Sequence, residues 1–153
     1  GAVAVQRLAA SGVTVVATAH GDAEADHVRD LGAHQIGDHV VDLGPQVRAI
    51  AADGVVAALH LAGDPVAVAD LVAPGGRLAT LLLIDPSPFA GHDLTAHCVI
   101  AQPRKPLLET LGADTAAGHL RIPIQREYAL PDAPRALTDF AAGTLGKLSI
   151  TVP

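Results

Sequence analysis

Three apolar runs constrain the fold of this chain more than any other feature. They are Val13 to Ala17 (VTVVA), Val55 to Leu61 (VVAALHL) and Arg77 to Ile84 (RLATLLLI). A strand that is wet on one face alternates apolar with polar residues, and these runs do not. They therefore read as strands buried on both faces, the habit of parallel sheets. Shorter strands are expected around Gln35 to Gly37 and from His97 to Gln102.

Between the strands the pattern turns helical. Ala2 to Ala10 is a small-residue helix with Gln6 and Arg7 on its polar side and Ser11-Gly12 at its end. Asp22, Glu24 and Asp26 place negative charge at the start of a second helix, where the helix dipole favours it. Ala25, Val28 and Leu31 line its inner face, and Gly32 stands at its C-terminal cap. Pro45 is expected to open a third helix with Val47 and Ile50 turned inward and Asp53-Gly54 closing it. Asp64 caps a fourth, with Pro65 at the first helical position. That helix uses Val68, Leu71 and Val72 and stops at Pro74-Gly75-Gly76. A fifth spans about Lys105 to Ala117. Strands alternating with helices predict an α/β fold, a parallel sheet with helices on both faces.

The last part differs. Leu120, Ile122 and Ile124 alternate with Arg121, Pro123 and Gln125. A short helix from Ala133 to Ala142, with Leu137 and Phe140 inward, and a strand from Lys147 to Val152 follow. The reading is a nucleotide-binding body over residues 1–118, lacking its first strand, and a strand–helix–strand appendage over 119–153.

Composition narrows the function classes. The chain has 153 residues, enough for one ordinary domain, and half of them are hydrophobic, so a core is affordable and disorder is not the expectation. The net charge of −6 and an aromatic content of 2% leave neither a cationic groove nor stacking platforms, which argues against nucleic-acid binding. A single cysteine, Cys98, excludes an internal disulfide and suits a reducing cytoplasm. No apolar run is long enough for a membrane span, and no secretory signal pattern is present. The chain does not begin with Met, and its first residues already read as structure, as in a piece of a longer protein.

Gly1-Ala2-Val3-Ala4-Val5-Gln6, Ala17-Thr18, Arg29-Asp30-Leu31-Gly32-Ala33, Ile36 and Asp38 follow one another as in the cofactor domain of medium-chain dehydrogenase/reductases. Leu61-Ala62-Gly63 and Val72-Ala73-Pro74-Gly75-Gly76-Arg77-Leu78 continue the match. Tyr128 to Leu137 and Gly143 to Val152 resemble the family's closing helix and its Gly-Lys strand. The chain is most similar to the quinone oxidoreductase and enoyl reductase branch of this zinc-binding alcohol dehydrogenase-like superfamily. The resemblance implies a Rossmann-like domain that works beside a GroES-like catalytic domain, to which the segment after about His119 returns.

It also implies a site. Gly1 and Ala2 would face the pyrophosphate, Thr18, Ala19, His20 and His39 the adenosine end, and Ala62 and Gly63 the nicotinamide. None of these carries a catalytic role. The strand ending Thr18-Ala19-His20-Gly21 has no acid before Asp22, and an acid there would bond the ribose hydroxyls of NAD. NADP(H) is therefore expected over NAD(H), with His20 as a partial cation. The other histidines, His27, His34, His92, His97 and His119, have no metal-ligand spacing, so no metal is expected in this segment. His60 reads as a hydrogen-bonded core residue and Cys98 as a small buried hydrophobe. The expected partners are a small-molecule substrate held through the absent domain and, at most, a second copy as a homodimer. Two other classes remain open: a methyltransferase-like domain for S-adenosylmethionine, on Val72 to Leu78, and a non-enzymatic nucleotide-binding or scaffold module.

Overall fold

The computed structural model describes all residues, Gly1–Pro153. The elements run α1 (Ala2–Ala10), β1 (Val16–Ala19), α2 (Gly21–Asp30), β2 (Gln35–Asp38), α3 (Leu43–Ile50), β3 (Val55–His60) and α4 (Pro65–Ala69). They continue with β4 (Val72–Thr80), β5 (Leu94–Cys98), α5 (Lys105–Ala116), β6 (Ile124–Ala129), α6 (Ala133–Ala141) and β7 (Lys147–Thr151). Every strand pair is parallel, as the unbroken apolar runs predict. The chain is α/β.

The ladders form three groups: β1 with β2, β3 with β4 and β5, and β6 with β7. β1 and β3 do not pair, so the sheet expected to be continuous is divided between them. The core divides in the same way. Val5, Val15, Leu31 and Ala33 form one buried cluster, joining α1, the start of β1 and the end of α2. Ala69, Leu78 and Phe89 form the other, under α4 and β4. β3 lies beside the division, and its apolar Val56 is 78% exposed.

Local chemistry explains the helix starts. Asp64 accepts the Val66 N–H at 2.9 Å and Pro65 opens α4, as expected. α3 begins earlier than Pro45, because the Asp42 carboxylate accepts the Gly44 N–H at 2.8 Å and caps the helix from Leu43. Pro45 then sits in the first turn, where its missing N–H has no partner to lose. Val47 is buried, but Ile50 is 40% exposed, against the inward position expected of it.

Strand positions depart from the sequence reading in a consistent way. β1 starts at Val16 rather than Val13, since the Val13 N–H bonds Leu8 O and the Val15 N–H bonds His34 Nδ1. β4 starts at Val72, so Pro74-Gly75-Gly76 lies inside a strand and α4 ends at Ala69. The ladder skips there: Val55 pairs with Val72 but Ala57 pairs with Arg77, a bulge that accommodates a proline with no N–H to donate. A side chain at Gly76 would meet Val72 Cγ1 at 2.5 Å, so only glycine fits the bulge. Leu81 to Ile84 lie beyond the strand, and Ile84 is exposed. β5 runs in register with β4 from Gly76↔Leu94 to Thr80↔Cys98 and so ends before Gln102.

β6, α6 and β7 form the strand–helix–strand unit read from the alternating tail, with β6 starting at Ile124 and Leu120 buried ahead of it. Leu137 and Phe140 are exposed at 68% and 65%, the reverse of the inward positions expected; Ala136 is the buried residue of α6. Side chains tie α1 to the segment before β6. Gln6 and the Arg121 backbone exchange two hydrogen bonds of 2.9 and 2.8 Å, and Arg121 also donates to Asp30 O. Arg7 meets Asp114 of α5 at 2.5 Å.

Candidate functional site

Because β1 to β5 are parallel within their ladders, the C-terminal end of β1 and the segments that leave β1, β2 and β3 carry Thr18 to His20, His39 and Ala62-Gly63. Open parallel sheets bind ligands at such ends. The N-terminus of α1 supplies the third component. Gly1 precedes it with no capping side chain, and its first turn holds no acid. Free N–H groups and the positive helix end suit an anion. A Cβ at Gly1 would touch nothing within 4 Å, so the approach is open. Lys147, which opens β7, adds positive charge. The charge of Lys147 is felt at Gly1. Sequence reasoning gave Lys147 no site role; its place in β7, far along the chain, hides its proximity to Gly1.

His20 and His39 meet where β1 and β2 end. The ladder pairs Ala19 with Asp38, so the next residue on each strand leaves the sheet beside the other. Their ring centroids are 6.1 Å apart. Two carboxylates join them. Asp38 Oδ1 lies 3.1 Å from His20 Nδ1, and Glu24 Oε2 lies 3.4 Å from His39 Nε2 while accepting the His20 backbone N–H at 2.7 Å. The expectation of an acid-free strand end is therefore corrected. Glu24 reaches back from the first turn of α2, and Asp38 reaches across from β2. The Glu24 carboxyl is held below its ordinary value chiefly by that backbone N–H and then by the nearby imidazoles. The Val40 N–H does the same for Asp38, with His20 adding to it. Ala19 itself is buried and underlies the cluster, so its side chain is closed to a ligand.

The end of β3 is fixed by a buried histidine. His60 is 2% exposed; its Nε2 donates to Gly63 O at 3.1 Å, and its Nδ1 shares a hydrogen bond of 2.9 Å with Thr80 Oγ1. A carbonyl can only accept, so Nε2 carries a proton. Thr80 Oγ1 also accepts the Leu82 N–H at 3.2 Å, so one imidazole links the loops after β3 and β4. Gly63 has φ +83°, and a Cβ there would meet nothing within 4 Å. The backbone needs glycine, and the space over it is free.

The predicted residues thus form three patches: Gly1-Ala2, the His20–His39 cluster beside Thr18, and Ala62-Gly63. No hydrogen bond joins one patch to another. Three of the five remaining histidines have structural partners: His92 with Asp70 at 3.0 Å, His119 with Asp114 at 3.9 Å, and His34 with the Val15 N–H. Cys98 is half-buried. A concavity of about 690 Å³ lies elsewhere, between α2, the end of α5 and residues 120–124, and is lined by His27, Asp30, Leu120 and Arg121.

Solved structures superpose on the whole chain. A quinone oxidoreductase from Coxiella burnetii is 24% identical with a TM-score of 0.84, over 99% of this chain and 49% of its own. An NAD-dependent alcohol dehydrogenase is 19% identical with a TM-score of 0.84, over 99% of this chain and 48% of its own. A mycobacterial protein solved in complex with NADPH is 21% identical with a TM-score of 0.78, over 99% of this chain and 53% of its own. The chain therefore spans about half the length of these structures. No curated protein matches it.

Fold and superposition together define a Rossmann-like α/β domain. More particularly, the family model for zinc-binding dehydrogenases matches residues 24–148, and the chain belongs to that family. The family's metal has no fit here: no group of three or more His, Cys, Asp or Glu side chains is placed to hold one. No helix is long and apolar enough to cross a membrane.

Proposed function

We propose that this chain binds a nicotinamide dinucleotide as the cofactor-binding part of an oxidoreductase that reduces a quinone, an enone or a similar conjugated carbonyl compound. NADP(H) is the favoured form while the two imidazoles at the adenosine end are protonated, since the carboxylates paired with them oppose a 2′-phosphate. The observation that carries the reading is the uncapped, acid-free N-terminus of α1, which together with Lys147 offers a positive seat for a pyrophosphate. Gly63, at positive φ under open space, offers a flat floor for the nicotinamide end.

A reduced nicotinamide supplies the hydride, and the protein's share is to hold and orient it. Here α1 would neutralise the diphosphate, His20 and His39 would meet the adenine ribose, and His60 would keep the Ala62-Gly63 loop in place. Substrate contacts would come from a second, GroES-like domain. The exposed apolar residues on β3 and α6, Val56, Leu137 and Phe140 among them, are the surfaces on which the rest of such a protein would pack. Among the superposed structures, one is of an NAD-dependent alcohol dehydrogenase and another is of a protein complexed with NADPH, which supports a nicotinamide cofactor.

Titration of the purified chain with NADPH, NADH and S-adenosylmethionine, followed by calorimetry, tests the reading. Saturable binding of a nicotinamide dinucleotide, at least tenfold tighter than S-adenosylmethionine, is expected. Tightest binding of S-adenosylmethionine would overturn it in favour of a methyltransferase-like domain. Binding of none would favour a scaffold module.

A further inference from the structure

Four ionisable groups share the space beyond β1 and β2. Two are imidazoles, His20 and His39, and two are carboxylates, Glu24 and Asp38, paired at 3.1 Å (His20–Asp38) and 3.4 Å (His39–Glu24). All four side chains are 40–54% exposed, so each is open to a ligand. Two nearby polar side chains are occupied. Asp42 caps α3, and Gln46 of α3 is spent on the Asp38 backbone, accepting its N–H at 2.8 Å and donating to its carbonyl at 3.1 Å.

We infer that His20 and His39 set the choice between NADP(H) and NAD(H), and that the acids facing them make the choice depend on pH. The inference rests on the reading above, that this end of the site holds an adenine ribose. With both imidazoles neutral the cluster carries the two carboxylate charges, −2. A 2′-phosphate is then repelled, and the carboxylates are free to accept the ribose hydroxyls of NAD(H). With both imidazoles protonated, two positive charges offset the two negative ones and the cluster is neutral. The imidazolium N–H groups then become donors for the phosphate.

The carboxylates stay ionised throughout this range. The His20 and Val40 backbone N–H groups hold Glu24 and Asp38 below the ordinary carboxylate values. The imidazole is the side chain whose charge changes between about pH 5 and 8. A phosphomonoester loses its second proton near about pH 6, so above that value the ligand's charge is nearly constant and the protein's is not. The sequence hides this device, because neither acid lies at the end of β1. The β1–β2 register and the first turn of α2 bring them in.

The test is a calorimetric titration of the chain with NADPH and with NADH at about pH 6.5, 7.5 and 8.5 at constant, low ionic strength. The ratio of Kd for NADH to Kd for NADPH is expected to fall about tenfold or more from the lowest pH to the highest, each tenfold being about 1.4 kcal/mol. In the double variant His20→Asn with His39→Asn the ratio should be flat with pH. In Glu24→Gln with Asp38→Asn it should favour NADPH at every pH. Circular dichroism checks that each variant is folded, which the exposure of all four side chains favours. Binding of both dinucleotides with a pH-independent ratio in the unaltered chain would overturn this inference and leave the proposed function standing. Binding of neither at any pH would overturn both.

Discussion

His60 Nδ1 and Thr80 Oγ1 meet at 2.9 Å in the least accessible part of the molecule, with His60 2% and Thr80 0% exposed. The pair joins the ends of two adjacent strands, and through Gly63 O and the Leu82 N–H it fixes both following loops. Thr80→Val keeps the shape and removes the hydroxyl, leaving the imidazole nitrogen unpaired where water cannot reach it. A loss of about 1–3 kcal/mol in urea unfolding is expected. A double-mutant cycle with His60→Leu should recover part of it, since replacing both partners removes the unpaired group. Additive losses would show that the bond carries no coupling.

The elements that read correctly were those set by local chemistry. Asp64 and Pro65 start α4 by a cap and a ring that need no distant partner. What could not be read was set by pairing. Pro74-Gly75-Gly76 has the composition of a helix stop, and only the ladder to β3 turns it into a bulge inside β4. Leu137 and Phe140 have helical spacing for a core, but periodicity cannot say whether a partner is present to make one. The candidate site divides likewise. His20 and His39 were legible as residues following strands, whereas Glu24, Asp38 and Lys147 reach the site through register and packing across the chain.

Gly32 is a position where the sequence motif has a direct steric cause. Its φ is +107°, and a Cβ there would come within 2.8 Å of Ala9 Cβ on α1. Gly32→Ala combines backbone strain with overpacking and should destabilise by roughly 2–4 kcal/mol. Adding Ala9→Gly removes the collision and leaves the strain, so the double variant should regain part of the loss after allowance for about 1 kcal/mol of helix propensity. An unchanged unfolding midpoint in Gly32→Ala would contradict this geometry.

The outer face of α6 has no partner within this chain. Leu137→Gln and Phe140→Ser should therefore each change stability by no more than about 0.5 kcal/mol, the range of ordinary surface substitutions. The same changes should raise solubility by removing exposed apolar area. A loss above about 2 kcal/mol, the scale of a core truncation, would mean that the face is covered. The comparison is informative because Ala136, the neighbour of Leu137 on the same helix, is 4% exposed.

Tyr128 is the chain's single tyrosine, so its titration is free of overlap. Its hydroxyl donates to Asp139 Oδ2 at 2.5 Å, and Arg126 Nη1 donates to the same oxygen at 2.6 Å. Burial raises the phenol above its ordinary value, the bond to Asp139 raises it further, and Arg126 opposes both. An ultraviolet titration of phenolate should give a midpoint above the ordinary value of about 10. Asp139→Asn should move that midpoint down, and Arg126→Gln should move it up. The sign for stability follows: a raised pKa in the folded state favours folding below the unfolded value, and that contribution is lost as pH rises through the folded one. Stability measured between neutral and strongly alkaline pH should therefore fall more steeply in the unaltered chain than in Tyr128→Phe. Equal slopes would show that the phenol has the same pKa folded and unfolded, and that the Asp139 bond does not hold its proton.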